Sequence, residues 1–176
     1  MLVDHLQHPE AADLQHVWKL PLASGVAFQP DSETRDGLLT AGSASPIARA
    51  LPLALPEWRI DPRVGELTMA DGCLRLAQQT HARAMACPLF IDLKPRRAGK
   101  PCTWRQLTVA ESLVIQPADV AVGFRIQCGE KQWIIYRSQA PRANRTLLGQ
   151  NTSSEFFAAR FVAKTGGVED LVEIEG

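Results

Sequence analysis

Short runs of alternating hydrophobic and polar residues dominate the chain, and no long segment keeps the i, i+3, i+4, i+7 spacing of an amphipathic helix. In LQHVWKL, residues 14–20, every second residue points to the same face, as in a half-buried strand. This face carries Leu14, His16, Trp18 and Leu20. The pattern predicts strands from the N-terminal region onwards.

Turn residues separate these runs into pairs. Asp71-Gly72 lies between two alternating arms, and a type I′ hairpin turn favours this dipeptide because both central residues need φ > 0. Residues 128–131 repeat the arrangement, and the C-terminal segment folds back at residues 166–167. The chain is therefore predicted to be all-β: a single domain of residues 1–176, an antiparallel β-sandwich built from hairpins with few or no helices.

Two segments depart from plain alternation. Residues 45–58, SPIARALPLALPEW, contain three prolines, and an edge strand or a wrapping loop is expected because proline cannot donate to a central ladder. Residues 103–113, TWRQLTVAESL, favour strand over helix through their Thr, Trp and Val residues. The predicted core contains Trp18, Phe28, Leu74, Leu76, Phe90, Ile91, Phe124, Ile126, Trp133, Ile135, Phe157 and Phe161.

Length and charge narrow the class of protein. A chain of 176 residues with 19 basic and 19 acidic side chains has the size of one domain, and its zero net charge requires neither a nucleic acid nor a membrane as partner. No apolar run approaches the roughly 20 residues of a membrane helix. The N-terminus lacks the basic and apolar regions of a signal peptide. A cytoplasmic location is the default expectation, for a whole protein or a piece of a longer one.

The cysteines and histidines are the candidate metal ligands. Cys73, Cys87, Cys102 and Cys128 form no CxxC or CxxxC pair, so free, buried thiols are expected rather than a zinc knuckle. A metal site would need three converging ligands, and solvated or hydrogen-bonded imidazoles are favoured over it, so no metal and no cofactor is predicted. The alternative ligands are His5, His16 and His81, with Asp4 as the acid.

Two basic segments are candidate binding surfaces. KPRRAGK, residues 94–100, reads as an exposed loop, and YRSQAPRANR, residues 136–145, adds further arginines. The planar arginine fork binds carboxylate, sulfate or phosphate with two hydrogen bonds, so these loops suit an acidic polymer. The alternative is a solvated surface that keeps a sheet edge soluble. The candidate ligand-binding residues are Arg96, Arg97, Lys100, Arg142 and Arg145.

Motifs for self-sufficient catalysis are missing from the sequence. It has no GxSxG nucleophile elbow and no GxxxxGK[ST] phosphate loop. The acidic C-terminal stretch EDLVEIE, residues 169–175, is expected to be a solvated strand rather than a pair of catalytic carboxylates. No catalytic site is predicted, and His16 is the residue to consider if one exists.

The stretch VDHLQHPEAADLQHVWKLP, residues 3–21, resembles the entry to the C-terminal β-sandwich of heparinase II/III-like polysaccharide lyases. Residues 3–6 match the first strand of the family pattern and residues 16–21 the second, with a short turn between them. Lys19 stands where such strands often carry a histidine, which is a departure from the pattern. The resemblance covers about 20 residues.

The resemblance implies a function in acidic-glycan recognition. Such lyases remove the proton α to a uronate carboxylate with Tyr and His of a helical toroid, and the sandwich forms the other wall of the cleft. The chain is accordingly expected to be an accessory or stand-alone sandwich that contacts acidic polysaccharide, without turnover unless it is joined to a toroid. The alternative is a structural module that binds a protein partner through a sheet edge.

Overall fold

The computed structural model describes residues 1–42, 45–60, 64–162 and 167–175, which form an all-β, antiparallel, sandwich-like fold, as predicted. One large sheet contains the N-terminal strands β1 (Leu2–Pro21), β2 (Val26–Pro30), β3 (Gly37–Ala41), β4 (Ser45–Pro52), β5 (Gly65–Ala70) and β6 (Cys73–Asp92). The strand order is β1-β6-β4-β3-β2, and β5 also pairs with β6.

A second sheet and a small third sheet follow the helix α1 (Pro95–Ala98). The second sheet has the order β15-β14-β11-β10-β7 and the small sheet the order β13-β12-β8-β9. None of the helices in the described residues has the length and apolar character needed to cross a bilayer. The bounds are β7 (Cys102–Leu107), β8 (Ala110–Glu111), β9 (Val114–Ile115), β10 (Ala121–Cys128), β11 (Lys131–Ser138), β12 (Arg145–Leu147), β13 (Gln150–Thr152), β14 (Phe156–Val162) and β15 (Gly167–Ile174).

The predicted hairpins are confirmed. Asp71 and Gly72 both have positive φ, 53° and 70°, and connect β5 to β6. Residues 128–131 join β10 to β11, and β14 pairs antiparallel with β15. Of the predicted C-terminal turn, Gly166 lies outside the described residues. Residues 103–113 contain β7 and β8, so the preference for strand over helix there is correct.

Strands β1 and β6 form one long antiparallel ladder that bends sharply. The register shifts between Gln7 and Ala12, where residues 8–11 of β1 have only Arg83 of β6 opposite them. Across this bend the Nε2 atom of His16 lies 2.8 Å from the Oδ2 atom of Asp4. Twelve residues of straight strand would span about 40 Å, so the two halves of β1 fold towards each other. The two strands that the resemblance predicts for residues 3–6 and 16–21 lie within the single strand β1, and the irregularity falls between them.

In the described residues the core consists of three apolar clusters, two against the large sheet and one against the second sheet. One cluster fills the space between the large sheet and the second sheet, and another lies within the curved large sheet, where β2 comes close to β5. A third covers the outer face of the second sheet beneath the small sheet. Every predicted core residue is buried or packs against one of these clusters. The largest buried side chains that the sequence pattern missed are Trp104, Arg35 and Tyr136.

The prediction of an edge strand or loop is wrong for residues 45–52, which form β4 in the interior of the large sheet, between β3 and β6. Residues 53–58 lie outside the strands. The prolines occupy positions where a ladder tolerates them. Pro46 is the second residue of the strand, next to a register shift between Leu39 and Thr40, and Pro52 is its last residue. A proline at a strand end or beside an irregularity removes no essential ladder bond.

The prediction of free thiols is wrong for two of the four cysteines. Cys102 of β7 and Cys128 of β10 are directly opposite in the strand register and form a disulfide, with their Cα atoms 4.2 Å apart. Cys73 and Cys87 are free. The pairing depends on which strands become neighbours, and sequence spacing alone does not contain that information.

We predict that the double variant Cys102→Ala/Cys128→Ala folds but is less stable. The disulfide joins residues with a sequence separation of 26. Without it the unfolded chain has more conformational entropy, which favours unfolding. The expected loss in the free energy of unfolding is about 3 kcal/mol, measured by urea denaturation. A loss below about 1 kcal/mol would contradict this role for the disulfide.

We also predict that the two free cysteines differ in reactivity. Burial, with a smaller contribution from the charge of Asp4, raises the pKa of the Cys87 thiol to about 12. Cys73 is partly exposed. Because the thiolate is the nucleophile, iodoacetamide at pH 8 should modify Cys73 and spare Cys87 until the protein is unfolded, as read by peptide mass spectrometry. Equal rates in the folded protein would show that Cys87 is not buried as described.

Candidate functional site

The N-terminal half of β1 and the connection after β11 meet at one end of the sandwich and enclose a cleft. The side-chain amide of Gln7 donates a hydrogen bond to the carbonyl oxygen of Gln139, 3.3 Å away. Two adjoining cavities, of about 660 and 480 Å³, share Gln7, Gln139, Ala140 and Pro141 in their walls. We call them together the seam cleft, since they lie where the two sheets meet.

Buried contacts fix the connection that forms one wall of this cleft. Gln139 is buried, and its backbone N–H donates to the carbonyl oxygen of Val120 at 2.9 Å. Arg145 is only 2% exposed. Its guanidinium donates to the Ser138 hydroxyl at 2.7 Å and to the Pro141 carbonyl oxygen at 3.1 Å. The wall is therefore held by the protein interior rather than by loop contacts alone.

Arg145, a predicted ligand-binding residue, has its charge satisfied inside the protein. Its Nε atom lies 3.0 Å from a carboxylate oxygen of Glu111, and its Nη1 atom donates to the Tyr136 hydroxyl at 3.2 Å. A guanidinium in this position holds other residues in place and does not present its donors to a ligand. Its structural contribution is to position the segment that carries Arg142.

Three arginines from two separate parts of the chain line the seam cleft. Arg83 lies at the bend of β6, opposite the irregular part of β1, and lines the larger cavity. Arg137 of β11 and Arg142 of the following connection line the smaller one. The Nη2 atom of Arg137 lies 2.7 Å from a carboxylate oxygen of Glu155, which fixes this side chain in the wall. Asp119 contributes a second carboxylate, in the larger cavity.

His5 lines the smaller cavity beside these charged groups. Partial burial and the positive charge of Arg137 lower the pKa of His5, and the carboxylate of Glu155 opposes this in part. A histidine with a lowered pKa is neutral near pH 7 and offers one acceptor and one donor nitrogen. The cleft therefore combines three guanidinium groups and two carboxylates with a neutral imidazole.

The other predicted basic segment, residues 94–100, does not line the seam cleft. The guanidinium of Arg97 makes two hydrogen bonds of 2.7 Å to the carboxylate of Asp92, and it stacks 5.4 Å from the ring centroid of Trp133. The hydrogen bonds to Asp92 raise the pKa of Arg97. Arg96 is exposed, and the Lys100 side chain lies against Gly129.

The five predicted basic residues therefore do not form one site. Trp133, next to Arg97, and Ser138, next to Arg145, lie near opposite ends of β11. In an extended strand these two positions are about 17 Å apart. Of the five, only Arg142 lines the seam cleft.

The histidines proposed as metal ligands are separated from one another. His16 contacts Asp4 inside the bend, His81 contacts Asp13 through atoms 2.7 Å apart, and His5 faces the seam cleft. In the described residues no three His, Cys, Asp or Glu side chains are grouped to hold a metal ion. His16, the candidate base, has a carboxylate partner but does not line the cleft.

Four residues that line the cleft were not predicted from the sequence as binding residues: Gln7, Arg83, Arg137 and Glu155. These positions are far apart along the chain, and only the pairing of β1 with β6 and the packing of the two sheets bring them together. The alternation in the segment around Arg137 and Arg142 indicated a strand and a turn. It did not indicate which part of the chain lies across the cleft from them.

Comparisons with protein-family models, with curated proteins and with solved structures found no match to this chain.

We predict that Arg137 controls the titration of His5. In the native protein the His5 pKa measured by NMR should lie below 6.5, and Arg137→Gln should raise it, because a repelling charge is removed while Glu155 remains. The unfolded chain binds the proton more readily, so the contribution of His5 to stability falls as the pH drops below about 6.5. An unchanged His5 pKa in the variant would contradict this arrangement.

Proposed function

We propose that this chain is an accessory β-sandwich of the heparinase II/III-like lyase type, which binds acidic polysaccharide in the seam cleft. The observation that carries the proposal is the convergence of Arg83, Arg137 and Arg142 on one concave surface. Guanidinium groups bind carboxylate and sulfate through paired hydrogen bonds, and a concave wall allows several contacts to one chain of sugars.

The cleft wall is held in place before a ligand binds, which supports binding. Glu155 holds the guanidinium of Arg137, and Arg145 holds the connection that carries Arg142. Groups that are already fixed lose less conformational entropy when a ligand binds. Gln7 and His5 add neutral hydrogen-bonding groups that suit sugar hydroxyls.

A second candidate function is binding of a protein partner through a sheet edge. The edge strand β15 exposes Leu171, Val172 and Ile174 by 49%, 50% and 47%. Half-exposed apolar side chains on an edge strand suit the addition of a partner strand. A pull-down that yields a stoichiometric protein partner without any dependence on glycan would favour this alternative.

We predict that the double variant Arg83→Ala/Arg142→Ala binds heparin about tenfold or more weakly than the native chain, because each charge-assisted hydrogen bond contributes about 1.5–3 kcal/mol. Binding is measured by isothermal titration calorimetry at two salt concentrations, and the native affinity should fall as salt rises. Circular dichroism checks that the variant is folded.

The matched control is Arg96→Ala/Lys100→Ala, which removes the same number of positive charges at the other end of β11. Its affinity for heparin should stay within about twofold of the native value. If this control loses binding and the cleft variant does not, the basic segment at residues 94–100 is the binding surface and the seam cleft is not.

We further predict that the chain by itself does not cleave acidic polysaccharide. Proton abstraction needs a base within reach of the sugar and a group that stabilises the enolate. The lyases that the chain resembles pair a Tyr with a His, but Tyr136, the single tyrosine, is fully buried and His16 lies outside the cleft. His5 lines the cleft without a tyrosine beside it. Heparin or alginate should give no rise in ultraviolet absorbance from unsaturated uronate. A rise that His16→Ala or His5→Ala abolishes would contradict this.

A further inference from the structure

Trp58 is a large aromatic side chain that remains 52% exposed although its backbone is firmly held. A bridge pairs it with Thr34. The buried guanidinium of Arg35 donates to the carbonyl oxygens of Trp58 and of Pro56, the latter at 2.9 Å. The indole is therefore exposed at the surface while the backbone that carries it is fixed.

Trp58 lines a groove along the free edge of β7 in which most of the lining residues are apolar. The groove has a volume of about 400 Å³, and Glu57, Arg105 and Gln106 line it together with Trp58. A carboxylate oxygen of Glu57 accepts a hydrogen bond of 3.3 Å from the backbone N–H of Trp104, which covers part of the strand edge. The groove thus combines a flat apolar surface with the cation of Arg105, the amide of Gln106 and the carboxylate of Glu57.

Arg105 is in an electrostatically unfavourable position. It lies directly opposite Arg125 in the pairing of β7 with β10, and like charges in opposed cross-strand positions destabilise a sheet. Arg125 donates to the neutral side chain of Gln132 at 2.7 Å. Within the described parts of the chain, neither arginine has a carboxylate oxygen within ion-pair distance. Burial raises the pKa of Glu57 and the charge of Arg105 opposes this in part, so the Glu57 carboxylate already offsets some of the repulsion. A bound anion would relieve more of it.

We propose that Trp58 and Arg105 form a subsite for one acidic sugar residue, separate from the seam cleft. The inference rests on the proposed function for its ligand class. The electron-rich indole face attracts the polarised C–H bonds on the apolar side of a sugar ring. Arg105 binds the carboxylate or sulfate of the same sugar, and the amide of Gln106 is placed to bind a hydroxyl group.

The test is a titration of the full chain with a heparin tetrasaccharide, followed by NMR. The indole N–H signal of Trp58, assigned by its loss in Trp58→Phe, should shift, and it should still shift in Arg83→Ala/Arg142→Ala. Trp58→Ala should weaken the affinity of the groove about fivefold to tenfold. In that variant the affinity is read from the guanidinium signal of Arg105. Arg105→Gln should weaken it about tenfold.

Two control variants and the possible outcomes distinguish binding in this groove from binding in the seam cleft. Ile60→Ala removes an apolar side chain that is 86% exposed and lies outside the groove, and Lys19→Gln removes an exposed charge on β1; both should leave the titration unchanged. If the tetrasaccharide shifts signals of the seam cleft and none of Trp58 or Arg105, this subsite is wrong and the proposed function stands. If it shifts the groove alone, the subsite stands and the seam cleft fails.

Discussion

The antiparallel pairing of β1 with β6 is the interaction on which the rest of the structure depends. Both strands have 20 residues, and both continue through the bend at Arg83. The two halves of the ladder have different neighbours: β5 pairs with the first half of β6 and β4 with its last residues. Through these neighbours one pair of strands connects the elements of the large sheet.

The same bend explains where the seam cleft lies. Its inner side carries Asp4 and His16, and it continues into the apolar cluster of the large sheet. Its outer side presents His5 and Gln7 to the end of the second sheet, where the connection after β11 arrives. Arg145 fixes that connection from inside the protein. Strand pairing and one buried cation thus form the cleft walls. No local sequence motif specifies them.

Local features of the chain were predictable from sequence, and contacts between distant strands were not. Alternation and turn chemistry correctly identified the hairpin at Asp71-Gly72 and the all-β class, because both depend on neighbouring residues. The disulfide between Cys102 and Cys128 and the interior position of β4 depend on strand order, which short-range patterns do not contain. The arginine prediction shows the same limit: the sequence identified cations, but it could not distinguish the buried Arg145 from Arg142 in the cleft wall.

Amide hydrogen exchange with and without a bound heparin oligosaccharide tests the central claim most directly, since it reports on the whole chain at once. Ligand in the seam cleft should slow exchange in two segments that are distant in sequence, residues 5–9 and residues 137–142, because both form its walls. Exchange in residues 94–100 should stay unchanged. Slower exchange confined to residues 94–100, or no change in the two cleft segments at saturating ligand, would contradict the account.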